Sequence, residues 1–103
     1  MRLLGTTKKV SMHLDSGEWA TIVDIIEAVY GEAILGKETV ANLRYAYGEP
    51  VGGQQLEKLS NAIEQFIEDN ELGRVDMGYR SIDTKRLEDF VYFMRETKEF
   101  ITR

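Results

Sequence analysis

Apolar residues recur at helical spacing in four stretches of the chain. In LDSGEWATIVDIIEAVYGE, Trp19, Ile22, Val23, Ile26, Val29 and Tyr30 fall three and four positions apart, which puts them on one helix face. With Asp15 or Ser16 as N-cap, Glu18 in the first turn and Gly31 as C-cap, the spacing predicts a helix over 17–30. KETVANLRYAYG carries Val40, Leu43 and Tyr47, with Tyr45 beside them, and predicts a shorter helix of roughly three turns closed by Gly48 and Pro50. GGQQLEKLSNAIEQFIEDN holds the strongest stripe, Leu56, Leu59, Ala62, Ile63, Phe66 and Ile67, and predicts a core helix. Gly73 and Gly78 break the pattern in ELGRVDMGYRS, after which Asp83 is placed to cap a helix carrying Leu87, Phe90, Val91 and Met94.

Two segments read as extended: KKVSMH at 8–13, with Val10 and Met12 on one side, and EFITR at the end. Each helical stripe needs another to bury against. The expected fold is therefore mainly α, a compact bundle of about four amphipathic helices over residues 1–103, with at most a minimal two-stranded pairing of the chain ends. A chain of 103 residues suffices for one such helical domain and not for two.

Composition narrows the chemistry. The chain has 0 cysteines, which excludes disulfides, thiolate metal sites and cysteine nucleophiles and fits a reducing compartment. MRLLGTTKKV has only two leucines as an apolar core, short of a signal peptide, and no stretch approaches the roughly 20 apolar residues of a membrane span. The expectation is a soluble cytoplasmic protein. A net charge of −5 argues against a large phosphate-binding face, so nucleic acid and membrane are not expected partners. Arg2, Lys8 and Lys9, with no acid among residues 1–14, read as a charged terminal arm.

Catalytic patterns are thin. His13 is the only histidine, and with Asp15 and Ser16 so near in sequence it lacks the spatial separation of a catalytic triad. One histidine among carboxylates has no recognised metal-ligand spacing. GEPVGG matches neither a phosphate loop nor a dinucleotide fingerprint and holds no Lys or Arg, so its glycines read as turn residues with Val51 tucked into the core. No catalytic, cofactor-binding or metal-binding residue is assigned.

Charge and aromatic placement say more. Glu64, Glu68, Asp69 and Glu71 gather negative charge at the C-terminal end of the third predicted helix, where the helix dipole already disfavours it. Either Arg74 or a lysine relieves that charge, or the surface stays acidic to meet a basic partner. Tyr79, Tyr92 and Phe93 supply aromatic area near arginines, a combination found both at interfaces and in core closure. Since Phe90, Val91 and Met94 already fill the last stripe, at least one of Tyr92 and Phe93 is expected at the surface or against a second subunit.

The order of features resembles a group of small bacterial helical proteins: an early helix Trp (Trp19), a glycine turn followed by Val and a Leu- and Ala-rich helix (Gly48, Val51 and the helix from Leu56), and a Phe-rich last helix. That helix, DFVYFMRETKEFI, runs into Phe100 and Ile101, with Lys98 and Glu99 where the group has paired glycines. The resemblance implies a helical fold and carries no activity.

The function expected from the sequence is non-enzymatic: an acidic module of accessory, regulatory or inhibitor-like type, acting by protein–protein contact. Its partner surface would comprise Glu64, Glu68, Asp69, Glu71, Arg74, Tyr79, Tyr92 and Phe93, facing a basic protein. The alternative is a small-molecule-binding or enzymatic domain with an interhelical pocket walled by Trp19, Tyr45 and Tyr47. A third is a homodimer burying Tyr92 and Phe93.

Overall fold

Met12 sits between exposed Ser11 and His13 and Leu3 between exposed Arg2 and half-buried Leu4, and the first structure they make is a hairpin. In the computed structural model, which describes residues 1–70, 73–78 and 80–103, Arg2–Gly5 (β1) and Ser11–His13 (β2) pair antiparallel with Leu3 opposite Met12. Glu99–Thr102 (β6) lies antiparallel on the other side of β1, with Leu4 opposite Ile101 and Gly5 opposite Phe100. Val51–Gly52 (β3) completes a four-stranded sheet of order β2-β1-β6-β3. Leu3, Met12, Val51, Phe100 and Thr102 are buried on one face, while Arg2, Ser11 and His13 are exposed on the other. The period of two thus divides the sheet into an inner and an outer face.

Between these strands run Ser16–Ala28 (α1), Gly31–Leu35 (α2), Lys37–Arg44 (α3), Gln54–Asp69 (α4), the hairpin Arg74–Asp76 (β4) with Ser81–Asp83 (β5), and Thr84–Thr97 (α5). Helix α1 opens with a reciprocal cap: Glu18 N donates to Asp15 Oδ1 at 2.7 Å, and Asp15 N donates to Glu18 Oε1 at 3.0 Å. Such a cap contributes about 1 kcal/mol. The core joins α1, α5 and β6 through aromatic edges: Trp19 meets Phe90 at 6.0 Å, and Phe90 and Phe93 meet Phe100 at 6.1 and 5.7 Å. Helix α5 packs on β2 and β6, and α4 on β3.

The expectation of a mainly α bundle with at most a minimal strand pairing is overturned. Among the described residues, five helices accompany a four-stranded antiparallel sheet and a two-stranded one, an α+β fold. The chain ends do pair, but the last strand takes Arg2–Gly5 as partner, and the 8–13 segment supplies the outer strand beyond it. The segment with Gly73 and Gly78, read as a break, holds the hairpin, with Val75 opposite Ile82 and both buried. Strands of two to four residues offer one or two alternations each, too few to separate from loop sequence.

Helix ends also differ. The first helix stops at Ala28; Tyr30 turns left-handed at φ 61°, and Gly31 begins α2 instead of capping α1. A Cβ on Gly31 would stand 2.3 Å from Ile26 Cγ2 and 2.5 Å from Ile26 O, so the glycine is there to let α2 close against α1. Helix α3 ends at Arg44, before Gly48 and Pro50. Asp83 occupies the N-cap position of α5, yet its carboxylate makes no cap hydrogen bond and takes Arg74 Nη1 at 2.6 Å.

Candidate partner-binding groove

Helix α4 turns Leu56, Leu59, Ser60 and Ile63 inward and leaves Ile67 half-buried near its end. Helix α5 buries Leu87, Phe90, Val91, Phe93, Met94 and Thr97, which aligns Lys85, Glu88, Tyr92 and Arg95 on its outer face at spacings of three and four. The two helices run antiparallel: Arg95 reaches Asn61 and Glu64, while Ile67 and Glu68 lie by Glu88, Val91 and Tyr92. Between them is an open groove of about 380 Å³ with Ile67 and Val91 as floor, Glu64, Glu68 and Glu88 on the rim, and Arg95 and Tyr92 beside them. Tyr92 is 71% exposed.

The rim charges are not equivalent. Arg95 Nη1 donates to Glu64 Oε2 at 2.5 Å and Nη2 to Asn61 Oδ1 at 3.1 Å. That hydrogen bond, with the guanidinium charge behind it, holds the Glu64 carboxyl below the usual glutamate range. Glu68 and Glu88 form no ion pair among the described residues, and Asp69 accepts only from Gln65 Nε2, at 3.1 Å. Arg74, one of the expected sources of relief, donates to Ser81 Oγ at 2.7 Å and to Asp83 within its own hairpin. The last turn of α4 therefore keeps Glu68 and Asp69 against its own dipole.

Of the residues expected to meet a partner, Glu64, Glu68 and Tyr92 share this groove, and Asp69 lies one position beyond it on α4. Arg74 stands on β4, in its own ion pair. Phe93 is 5% exposed and packs edge-on against Phe100, so of the neighbouring aromatics only Tyr92 reaches the surface. Glu71 and Tyr79 lie outside the described residues. Glu88 was missed, although its place four residues before Tyr92 on a predicted helix was the available signal.

The alternative constellations do not assemble. Trp19 is 4% exposed and its indole N–H donates to Leu43 O at 2.8 Å, which makes it a core residue. Tyr45 and Tyr47 stack on each other at 5.8 Å on the surface, 65% and 67% exposed. His13 Nε2 faces the Arg2 guanidinium at 2.8 and 3.0 Å, and Asp15 is engaged in the cap of α1. Among the described residues, no group of three or more His, Asp or Glu side chains is placed to hold a metal ion, and no helix is long and apolar enough to cross a membrane.

Fold and groove together describe an α+β domain with a helical layer on one face of an antiparallel sheet and a rimmed cleft between its two longest helices. No family model, curated protein or solved structure matches the chain.

Proposed function

We propose that the chain is a non-enzymatic protein-interaction module of accessory, regulatory or inhibitor type, and that the α4–α5 groove receives a basic segment of its partner. The observation that carries this reading is that Glu68 and Asp69 have no cationic partner among the described residues and Glu88 has only the nearby charge of Lys85, without an ion-pair contact, beside a half-buried Ile67 and an exposed Tyr92. Uncompensated carboxylates at a helix C-terminus cost local stability, which a partner's cations would restore. A tyrosine over an apolar floor is the side chain best suited to anchor such a contact, because it buries large area at low entropic cost. Rim charges of this kind act mostly on the rate of encounter. The cysteine-free sequence suits action in the cytoplasm.

The test is capture. Tagged wild-type chain and the E68K/E88K variant are used as bait from the same lysate, and association rates of the recovered protein are then compared at low and high salt. The expected result is loss of capture by the variant and association slowed by about tenfold or more at low salt, with the difference shrinking as salt rises. Equal capture and equal rates would remove the groove as the docking face.

A further inference from the structure

One end of the sheet's outer face carries the opposite charge, while Glu99 lies on that face at the other end of β6 and accepts from the Thr6 hydroxyl. Register places Arg2 opposite His13, and Arg2 and Arg103 exchange both backbone hydrogen bonds, at 3.0 and 2.8 Å, so His13, Arg2 and Arg103 form one row across three strands. Their neighbours Leu3, Met12 and Thr102 are buried against the helical layer, and alternation therefore turns this row outward. The next row holds Ser11, Leu4 and Ile101, with Leu4 and Ile101 half-buried. Like charges directly opposite on a sheet repel. Arg2 leans away from Arg103 onto the His13 ring nitrogen, which brings it no negative charge. Neither arginine has a carboxylate partner among the described residues, on a chain whose net charge is −5.

Arginines without a carboxylate partner, in register across a sheet beside two aliphatics, complement what the α4–α5 groove presents: Glu68 and Glu88 outside any ion-pair contact, an apolar floor and Tyr92. We propose that the outer sheet face of one copy docks on the α4–α5 groove of a second copy, head to tail. The inference rests on the groove being a docking face and names the occupant as this same chain. The guanidiniums of Arg2 and Arg103 meet Glu68 and Glu88, and Leu4 and Ile101 lie over Ile67, Val91 and Tyr92. Since the two surfaces are different patches of one molecule, the contact is heterologous and grows into a ring or a filament.

Sedimentation of the full chain over a range of concentrations tests this, at low and high salt, with circular dichroism to verify that each variant folds. The expected result is an average mass that rises with concentration above that of one chain at low salt and falls back at high salt. R2E/R103E and E68K/E88K should each lose that rise, because each variant sets like charges against like. Mixed in equal amounts they should regain it, the reversed sheet of the first meeting the reversed groove of the second. If R2E/R103E does not fold, R2Q/R103Q replaces it and should lose the rise as well. A wild type that keeps the mass of one chain throughout overturns the proposal, and so does an association that either folded variant leaves unchanged. Should self-association be absent while E68K/E88K still abolishes capture of a basic protein, the groove stands as a docking face and only the identity of its occupant falls.

Discussion

Arg95 sits where two demands on the groove meet. Its guanidinium neutralises Glu64 and ties α5 to Asn61 on α4, which leaves Glu68 and Glu88 as the rim carboxylates outside any ion-pair contact among the described residues. The hydrogen bond from Arg95, followed by its charge, lowers the Glu64 pKa in the folded chain. A carboxyl lowered on folding stabilises the fold above its unfolded value and loses that contribution as pH falls through the folded one. The pair is exposed, so the expected signature is the titration itself and not a large change in stability. Carboxyl chemical shifts should give Glu64 a midpoint below that of an ordinary glutamate, and R95Q should return it to the ordinary range. A Glu64 midpoint that ignores R95Q would mean that the pair does not persist in solution. Sequence reasoning found Glu64 as part of an acidic cluster. For relief it offered Arg74 or a lysine, because nearness along the chain was the only distance available, whereas the cation that answers Glu64 is an arginine on a different helix.

Among the elements, those with several turns were legible and so were β2 and β6 as extended segments, whereas β1, α2, β3 and the β4–β5 hairpin were not. The stripe from Leu56 to Ile67 repeats over about three turns and foretold α4, and Asp15 or Ser16 with Glu18 marked the start of α1, where the capping box of Asp15 and Glu18 is a local hydrogen-bond pattern. Helix α2 has only five residues, and β3 hides its two inside a glycine-rich loop. What fixes β3 is Phe100 across the sheet, a contact that no window of local sequence contains. Gly31 illustrates the same limit: a glycine after a helix reads as a cap, and only the packed structure brings Ile26 against it. Gly31→Ala would force a methyl into backbone and side chain of Ile26, so overpacking should cost about 1–3 kcal/mol. The measurement is thermal unfolding, with a melting temperature lower by about 4 °C or more expected for a domain of this size. An unchanged melting temperature would show that the α1–α2 junction yields without cost.

On the scale of the whole molecule, the helical layer and the β4–β5 hairpin are tied by one carboxylate. Asp24 on α1 accepts from Arg44 Nη2 of the helix α3 at 2.8 Å and from Arg80 Nη2, between the hairpin strands, at 3.0 Å; Glu27 adds a second contact to Arg44 at 3.1 Å. The Asp24 side chain is 22% exposed, so each of these charge-assisted bonds forms partly out of water, where it is stronger than at the open surface. The hairpin also sets Val75 and Ile82 into the core and packs β5 against α1 and α5, so the carboxylate adds a polar tie to an apolar contact. Asp24→Asn keeps the shape and removes the charge that the two guanidiniums share, while Arg44 keeps Glu27. The expected cost is about 1–3 kcal/mol, felt first in the hairpin. Amide exchange should therefore accelerate in β4 and β5 well before it does in α4 and α5, which pack on each other and bury Leu59, Ile63, Leu87, Val91 and Met94. Capture by the α4–α5 groove should survive the substitution, because neither its rim nor its floor touches Asp24. Uniform acceleration across both regions would instead make Asp24 a support of the whole core, and loss of capture would couple the hairpin to the groove.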